Sequence, residues 1–143
     1  MKIRSDFVTN SSSSSFIVGF RNYPDDIDDK YKRFFSKVVN MILSAEGNCY
    51  ETDPAKVYHN IHELRKGFYK SYKGFNNDEH DSLDDMLEKH DWMKAEYDKC
   101  VETLNNGYSV AIKYIDYSDD ALEDMIRELP CITDDFIIVK TEY

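Results

Sequence analysis

The stretch that decides the fold is FVTNSSSSSFIVGF (residues 7–20), in which five consecutive serines separate two apolar segments. Its last part, residues 16–20, is a short apolar run bounded by the serines and by Asn22-Tyr23-Pro24, which is typical of a buried strand. Serine side chains compete with the backbone for hydrogen bonds and favour turns over helices. We therefore expect the serine run, residues 11–15, to be a polar surface loop held in place by buried flanks.

Three helices are predicted to follow this strand, because apolar residues recur there at intervals of three and four. The first begins after Pro24 with four aspartates in its first turn, where the helix dipole favours anions. The second begins at Asp53, an N-cap residue followed by a proline, and the third begins at Ser82. The last two helices are predicted to form an antiparallel hairpin that can protrude.

The last part of the chain is predicted to form a strand, a helix and a strand, at residues 108–115, 119–129 and 136–141. The connection is long enough for a crossover, so the two strands can be parallel. We therefore predict an α+β fold in which a small three- or four-stranded mixed sheet is packed by helices, with a central helical hairpin. A single domain is expected over residues 1–143, made of a Ser-rich segment (1–15), a strand–helix unit (16–46), the hairpin (53–106) and a strand–helix–strand unit (108–143).

The composition is typical of a globular protein from a reducing compartment. Of the 143 residues, 41 % are hydrophobic and 14 % aromatic, too many for a disordered chain, while 32 % are charged. Cys49, Cys100 and Cys131 are too few and too widely spaced for a disulfide framework or a zinc knuckle. No apolar run approaches the length of a membrane span, and no signal peptide is recognisable. We therefore expect a cytoplasmic protein with no membrane partner.

The net charge of −10 is carried by the second half of the chain. Residues 1–75 hold 12 Lys/Arg and 9 Asp/Glu, a net +3, whereas residues 76–143 hold 6 and 19, a net −13. An acidic surface can dock on a basic protein whose groove normally accepts phosphates; the alternative is a solvated helix face. The candidate partner-binding residues are Asp84, Asp85, Glu88, Asp91, Asp119, Asp120, Glu123 and Asp124.

The serine run is a second candidate site. Backbone N–H and hydroxyl groups clustered in a turn can bind a phosphate, and the candidate ligand-binding residues are Ser11, Ser12, Ser13 and Ser14. A P-loop is excluded, because residues 1–18 contain no glycine and no Gly-Lys-Ser/Thr motif follows. The alternative is a polar loop without a ligand.

The opening MKIRSDFVTNSSSSSFIV (residues 1–18) resembles an N-terminal signature, roughly FV-S/T-NSSSSSF, found at the start of otherwise dissimilar small proteins of bacteria and their phages. The resemblance covers these residues alone, and it carries no shared activity or catalytic residue. It implies a bacterial or phage accessory protein made in the cytoplasm.

Motifs for metal binding and catalysis are weak. His59 and His62 are spaced to share a helix face, but a metal site needs a third ligand, such as Cys49 or His80. Cations and aromatic rings alternate in residues 59–75, as in proteins that bind single strands, but the acidic remainder of the chain would repel a phosphate backbone. We predict no catalytic residue, no metal, no cofactor and no direct contact with nucleic acid.

These patterns favour a non-enzymatic acidic binding protein of phage or mobile-element type. Its expected partner is the basic surface of a host nucleic-acid-binding protein, for example a defence nuclease such as a CRISPR nuclease. The alternative is a small enzyme or regulatory domain that binds a phosphate ligand, or depends on a metal, through the Ser-rich loop.

Overall fold

A computed structural model describes residues 13–46, 54–73, 82–116 and 120–142. None of the helices in these ranges is both long and apolar enough to cross a bilayer. The elements confirm the predicted α+β class. In chain order they are β1 (Ser13–Phe20), α1 (Lys30–Ser44), β2 (Lys56–Tyr58), α2 (Ile61–Tyr72), α3 (Leu83–Lys89), α4 (Asp91–Asn105), β3 (Ser109–Asp116), α5 (Asp120–Ile132) and β4 (Phe136–Glu142).

The four strands form one sheet in the order β2-β3-β1-β4, and every neighbouring pair is antiparallel. Both β3 and β4 are antiparallel to β1, so they run in the same direction, as the strand–helix–strand pattern allows. They are not neighbours, however, because β1 lies between them. The sheet is therefore antiparallel rather than mixed.

The strand β1 begins within the serine run. Ser14 is paired with Ile115 of β3 and Ser15 with Tyr114, so these serines complete the hydrogen bonding of a neighbouring strand. The surface loop predicted for residues 11–15 is therefore wrong from Ser13 onwards. Ser11 and Ser12 lie outside the described residues.

Helices cover both faces of the sheet. Alternation along β1 directs Phe16, Val18 and Phe20 into one core, beneath α1 and α5, which we call the α1–α5 layer. Ile17 faces the other core, beneath α2, α3 and α4, which we call the α2–α4 layer. Because both faces are covered, β1 and β3 are almost entirely buried.

The first two helices begin later than predicted. Asp29 is the N-cap of α1 and accepts a hydrogen bond from the Lys32 N–H at 3.0 Å, so the aspartates precede the helix instead of forming its first turn. The second helix does not begin near Asp53, because residues 56–58 pair with β3 as strand β2. It begins after Asn60, whose side chain accepts a hydrogen bond from the Glu63 N–H at 2.8 Å.

The predicted third helix is two helices. Ser82 is its N-cap, as predicted, and accepts a hydrogen bond from the Asp85 N–H at 3.2 Å. The helix breaks at His90, which ends α3 and precedes α4. Ring contacts join the end of α2 to the start of α4, so these two helices are antiparallel. The hairpin does not protrude, because its apolar residues form the core of the α2–α4 layer.

One charged side chain is buried within the α1–α5 layer. Lys113 of β3 is opposite Phe16 of β1 and has no solvent exposure. Its ammonium group donates hydrogen bonds to the carbonyl oxygens of Leu43, at 3.4 Å, and Ala45. These carbonyls belong to the C-terminal end of α1, where the helix dipole favours a cation. Lys113 therefore ties α1 to the sheet.

Gly19 offers a direct test of how α4 packs on the sheet. A Cβ at Gly19 would lie 2.7 Å from Cγ2 of Thr103 and 3.0 Å from Cγ1 of Ile137, so in Gly19→Ala the Thr103 side chain, or α4 with it, must move away from the strand. We expect the free energy of unfolding to fall by about 1–3 kcal/mol in urea denaturation. Thr103→Ser removes the clashing methyl group but keeps the hydroxyl that donates to the Lys99 carbonyl oxygen. The double variant Gly19→Ala/Thr103→Ser should recover part of the free energy of unfolding that Gly19→Ala loses alone. If the losses of the two single variants simply add in the double variant, this packing is contradicted.

Candidate functional site

A cavity of about 140 Å³ opens between the sheet and the N-terminal half of α4. Five elements form it, namely β1, α2, α4, β3 and β4. Its volume is well above that needed by one water molecule. We call it the aromatic cavity, and its lining residues are Ser15, Ile17, Tyr72, Trp92, Glu96, Ile112, Tyr114 and Lys140.

The sheet side of the cavity follows from strand alternation and register. Ser15 is paired with Tyr114, and Ile17 is paired with both Ile112 and Lys140. Directly paired residues lie on the same face of a sheet, and so do residues two apart on one strand. The neighbouring strands β3, β1 and β4 therefore place a hydroxyl, a phenol and an ammonium group around two isoleucines.

Glu96 is the buried polar centre of the cavity. It is 5 % exposed, and its two carboxylate oxygens accept hydrogen bonds from different elements. The Tyr72 hydroxyl donates to Oε2 at 3.0 Å, and the Lys140 ammonium donates to Oε1 at 3.2 Å. A buried carboxylate needs such partners to offset its loss of hydration. The three side chains therefore hold α2, α4 and β4 in a fixed arrangement around the cavity.

Aromatic rings form the mouth of the cavity. Trp92 is 42 % exposed and Tyr114 is 40 % exposed, which is unusual for residues of this size. The Trp92 ring meets the ring of Tyr72 edge-on, at 5.7 Å between centroids and 88° between planes. This geometry is a favourable one for aromatic pairs, so the mouth has a defined shape.

Two groups in this region have raised pKa values. Burial, followed by the negative charge of Glu96, raises the pKa of Tyr72 far above its usual range. Burial and the charge of Glu96 also raise the pKa of the Cys100 thiol to about 12, although Lys140 opposes this. At neutral pH the phenol and the thiol are both protonated. Neither group is activated as a nucleophile, because the thiolate or phenolate is the form that reacts.

The first group of predicted partner-binding acids lies on α3 and α4. Asp84 forms an ion pair with Arg65 at 3.2 Å, and Asp85 forms one with Lys89 at 3.4 Å. The other two, Glu88 and Asp91, are exposed at the junction of the two helices. Asp91 directly precedes Trp92, so it is the member of this group nearest in sequence to the mouth of the cavity.

The second group of predicted acids lies on α5, on the opposite side of the sheet. Glu123 forms an ion pair with Arg127 at 3.1 Å, and Asp124 is exposed. Asp119 lies outside the described residues, and so does the side chain of Asp120. Because the sheet separates α5 from α3 and α4, the structure does not combine the two groups into one acidic surface.

The described part of the serine run does not form a ligand-binding loop. Ser14 is 6 % exposed, and its hydroxyl donates to Glu123 Oε1 of α5 at 3.5 Å. Ser15, which we did not predict as a site residue, faces the aromatic cavity on the other side of the sheet. Ser11, Ser12 and the side chain of Ser13 lie outside the described residues. Neighbouring serines of the strand therefore point to opposite layers.

His59 and His62 are not two positions of one helix in this fold. His59 precedes α2, and its Nδ1 is 2.8 Å from the Ser109 hydroxyl oxygen, whereas His62 is exposed in the first turn of the helix. The two side chains therefore do not share a helix face. His80 and Cys49 lie outside the described residues, and no three His, Cys, Asp or Glu residues within the described ranges are grouped as metal ligands would be.

In the described part of residues 59–75, where cations and aromatic rings alternate, the aromatic side chains pack on the core. Phe68 has no solvent exposure, and its ring contacts Tyr72 and Tyr97. Arg65 donates to the Tyr97 hydroxyl at 3.1 Å as well as pairing with Asp84. The described part of this segment therefore offers buried rings instead of exposed platforms for stacking bases.

One feature of the sequence indicates Glu96, the buried acid at the centre of the cavity. Glu96 lies between Met93 and Cys100 at helical spacing, so it falls on the apolar face of the predicted third helix. A charged residue on an apolar face needs a buried partner. That signal identifies Glu96, but it does not identify Lys140 or the aromatic rings, which come from other elements.

Replacing Tyr72 tests this network through its pH dependence. Because folding raises the pKa of Tyr72, its stabilising effect is complete below the unfolded pKa of about 10 and is lost as pH rises above that value. We expect Tyr72→Phe to lose about 1 kcal/mol at neutral pH, since Glu96 loses a donor. Above about pH 10 the free energy of unfolding of Tyr72→Phe should fall less steeply with pH than that of the parent protein. The difference between the two slopes should be up to about 1.4 kcal/mol per pH unit. Equal slopes for both proteins in urea denaturation would contradict the burial of this phenol.

The chain matches no protein-family model, and no curated protein or solved structure is similar to it. The geometry of the aromatic cavity and the charges near it therefore provide the evidence for function.

Proposed function

We propose that this protein is a non-enzymatic binding protein that docks on a basic surface of another protein. The observation that supports this proposal is the pair of exposed rings, Trp92 and Tyr114, at the mouth of a cavity whose inner wall holds the buried Glu96. Exposed aromatic groups around a concave site are typical of recognition surfaces. Trp and Tyr are also among the residues that contribute most to binding energy in protein interfaces.

The chemistry of the cavity favours a cationic side chain from the partner. An Arg or Lys head group is attracted to the faces of aromatic rings, and Trp is the best of these rings. Tyr72, Trp92 and Tyr114 bring three rings to the cavity, and Lys140 balances the charge of Glu96 in its wall, so the rings supply the attraction for the cation. An arginine is the better fit, because its planar guanidinium group can stack on a ring and donate several hydrogen bonds.

The exposed acids beside the cavity extend this surface. Glu88 and Asp91 are exposed at the α3–α4 junction, where Asp91 directly precedes Trp92, and we expect them to attract basic residues around the one that enters the cavity. Such rim charges mainly increase the rate of association and its sensitivity to salt. The acids of α5 are in the opposite layer, so we assign the docking surface to the α3–α4 side.

The proposed class of partner is a nucleic-acid-binding protein, because its groove offers basic residues arranged for phosphates. An acidic and aromatic surface can occupy such a groove in place of nucleic acid. The alternative, a phosphate site in the serine run, has less support, since Ser14 is buried against Glu123 and faces away from Ser15.

An oligo-arginine peptide is a suitable probe of this surface. Trp92 is the one tryptophan of the sequence, so its fluorescence reports on the cavity. We expect the peptide to change this fluorescence with an affinity that decreases as salt increases. Measured by calorimetry, Trp92→Ala and Tyr114→Ala should each weaken binding at least about tenfold, in line with the cost of losing an aromatic interface residue.

A pair of charge reversals separates docking at this surface from general attraction to an acidic protein. Asp91→Lys should slow association and flatten its salt dependence, whereas Asp26→Lys, with the same change of charge in the exposed turn before α1, should leave both unchanged. Equal weakening by the two reversals, together with normal binding by Trp92→Ala, would show that the peptide responds to net charge alone, and the proposed docking surface would be wrong.

A further inference from the structure

The exposed large hydrophobic side chains of the described residues fall into two groups. Trp92 and Tyr114 belong to the aromatic cavity. The others lie on α1 and α5, and the most exposed of them are Phe34 at 67 %, Met41 at 66 % and Ile132 at 77 %. Tyr31 and Met125 complete this second group. Apolar side chains gathered on one face mark an interaction surface more often than scattered ones do.

The two helices that carry this group lie side by side and antiparallel. The Tyr31 hydroxyl, at the start of α1, contacts the Thr133 hydroxyl and donates to Asp135 Oδ2 at 2.9 Å, just after α5 ends. Counting from this contact with equal rise along both helices, Lys37 is level with Glu128 and Met41 with Asp124, each to within about one turn.

The exposed charges of the two helices are opposite in sign. On α1, Lys30 and Lys37 share a stripe with Phe34 and Met41, because these positions are three or four residues apart. On α5, the corresponding stripe contains Asp124, Met125, Glu128 and Ile132. The surface is thus a basic apolar ridge beside an acidic apolar ridge, which we call the α1–α5 face.

We propose that the α1–α5 face is the interface of a symmetric homodimer. A two-fold axis parallel to the helices places α1 of one copy over α5 of the other while keeping every residue at its level along the helix. Lys37 then faces Glu128 of the second copy, and Met41 lies over the region of Asp124 and Met125. An axis perpendicular to the helices would instead place α1 on α1 and lysine on lysine. The complementary charges therefore favour a second copy of this chain as the partner, related to the first by a two-fold axis parallel to the helices.

This inference is independent of the proposed function. The α1–α5 face and the aromatic cavity are on opposite sides of the sheet, so either surface can exist without the other. In the proposed dimer both cavities remain open to a partner.

Sedimentation velocity over a range of concentrations tests the dimer with charge-reversed variants. We expect the parent protein to dimerise, and Lys37→Glu or Glu128→Lys alone to raise the dissociation constant at least about tenfold, because each places like charges across the interface twice. An equimolar mixture of the two single variants should restore dimerisation, since both contacts in the mixed dimer again join opposite charges. The matched controls are Lys66→Glu on α2 and Glu102→Lys on α4, which are exposed in the other layer and should have no effect.

The substituted side chains are exposed, so far-UV circular dichroism should show an unchanged fold in every variant. A monomer at all concentrations of the parent protein would overturn the proposal. A dimer that survives both single reversals, or a mixture that associates no better than its components, would also overturn it, because the interface would then lie elsewhere.

Discussion

The constraint on which the rest of the structure depends is that β1 is covered on both edges and both faces. It lies between β3 and β4, and its side chains enter two separate cores. At Gly19 there is no side chain between the strand and Thr103 of α4, so this helix approaches the sheet closely. Glu96 and Trp92 lie two and three turns earlier on the same helix. The close approach at Gly19 is therefore one of the contacts that place Glu96 and Trp92 over the sheet.

The fold contains two lysines on the inner faces of its sheet, and they have different consequences. Lys113 is fully buried, and its ammonium group donates hydrogen bonds to the carbonyl oxygens of Leu43 and Ala45. These hydrogen bonds attach the C-terminal end of α1 to the sheet. Lys140 pairs instead with Glu96 in the wall of an open cavity. Each charge is compensated, as burial demands. The Glu96–Lys140 pair borders a space that a ligand can enter, the aromatic cavity.

The distribution of exposed apolar groups gives the molecule two faces with separate chemistry. One combines aromatic rings with acids at the α3–α4 junction, and the other combines aliphatic and aromatic side chains with complementary charges on α1 and α5. The sheet separates them, so a dimer formed through the second face would present two copies of the first. A partner with repeated basic sites would then bind both copies, and the second contact would be intramolecular.

Local signals in the sequence determined the α+β class, the apolar strand at residues 16–20, the N-cap at Ser82 and the apolar position of Cys100. These depend on periodicity and capping, which neighbouring residues decide. The strand β2 was missed because its three residues become a strand only by pairing with β3. The acids that cluster along the chain are divided between the two layers, because α3 and α4 lie on one side of the sheet and α5 on the other. Only the tertiary structure assembled Ser15, Glu96 and Lys140 into one site, because strand order and the approach of α4 to Gly19 depend on contacts between residues far apart in sequence.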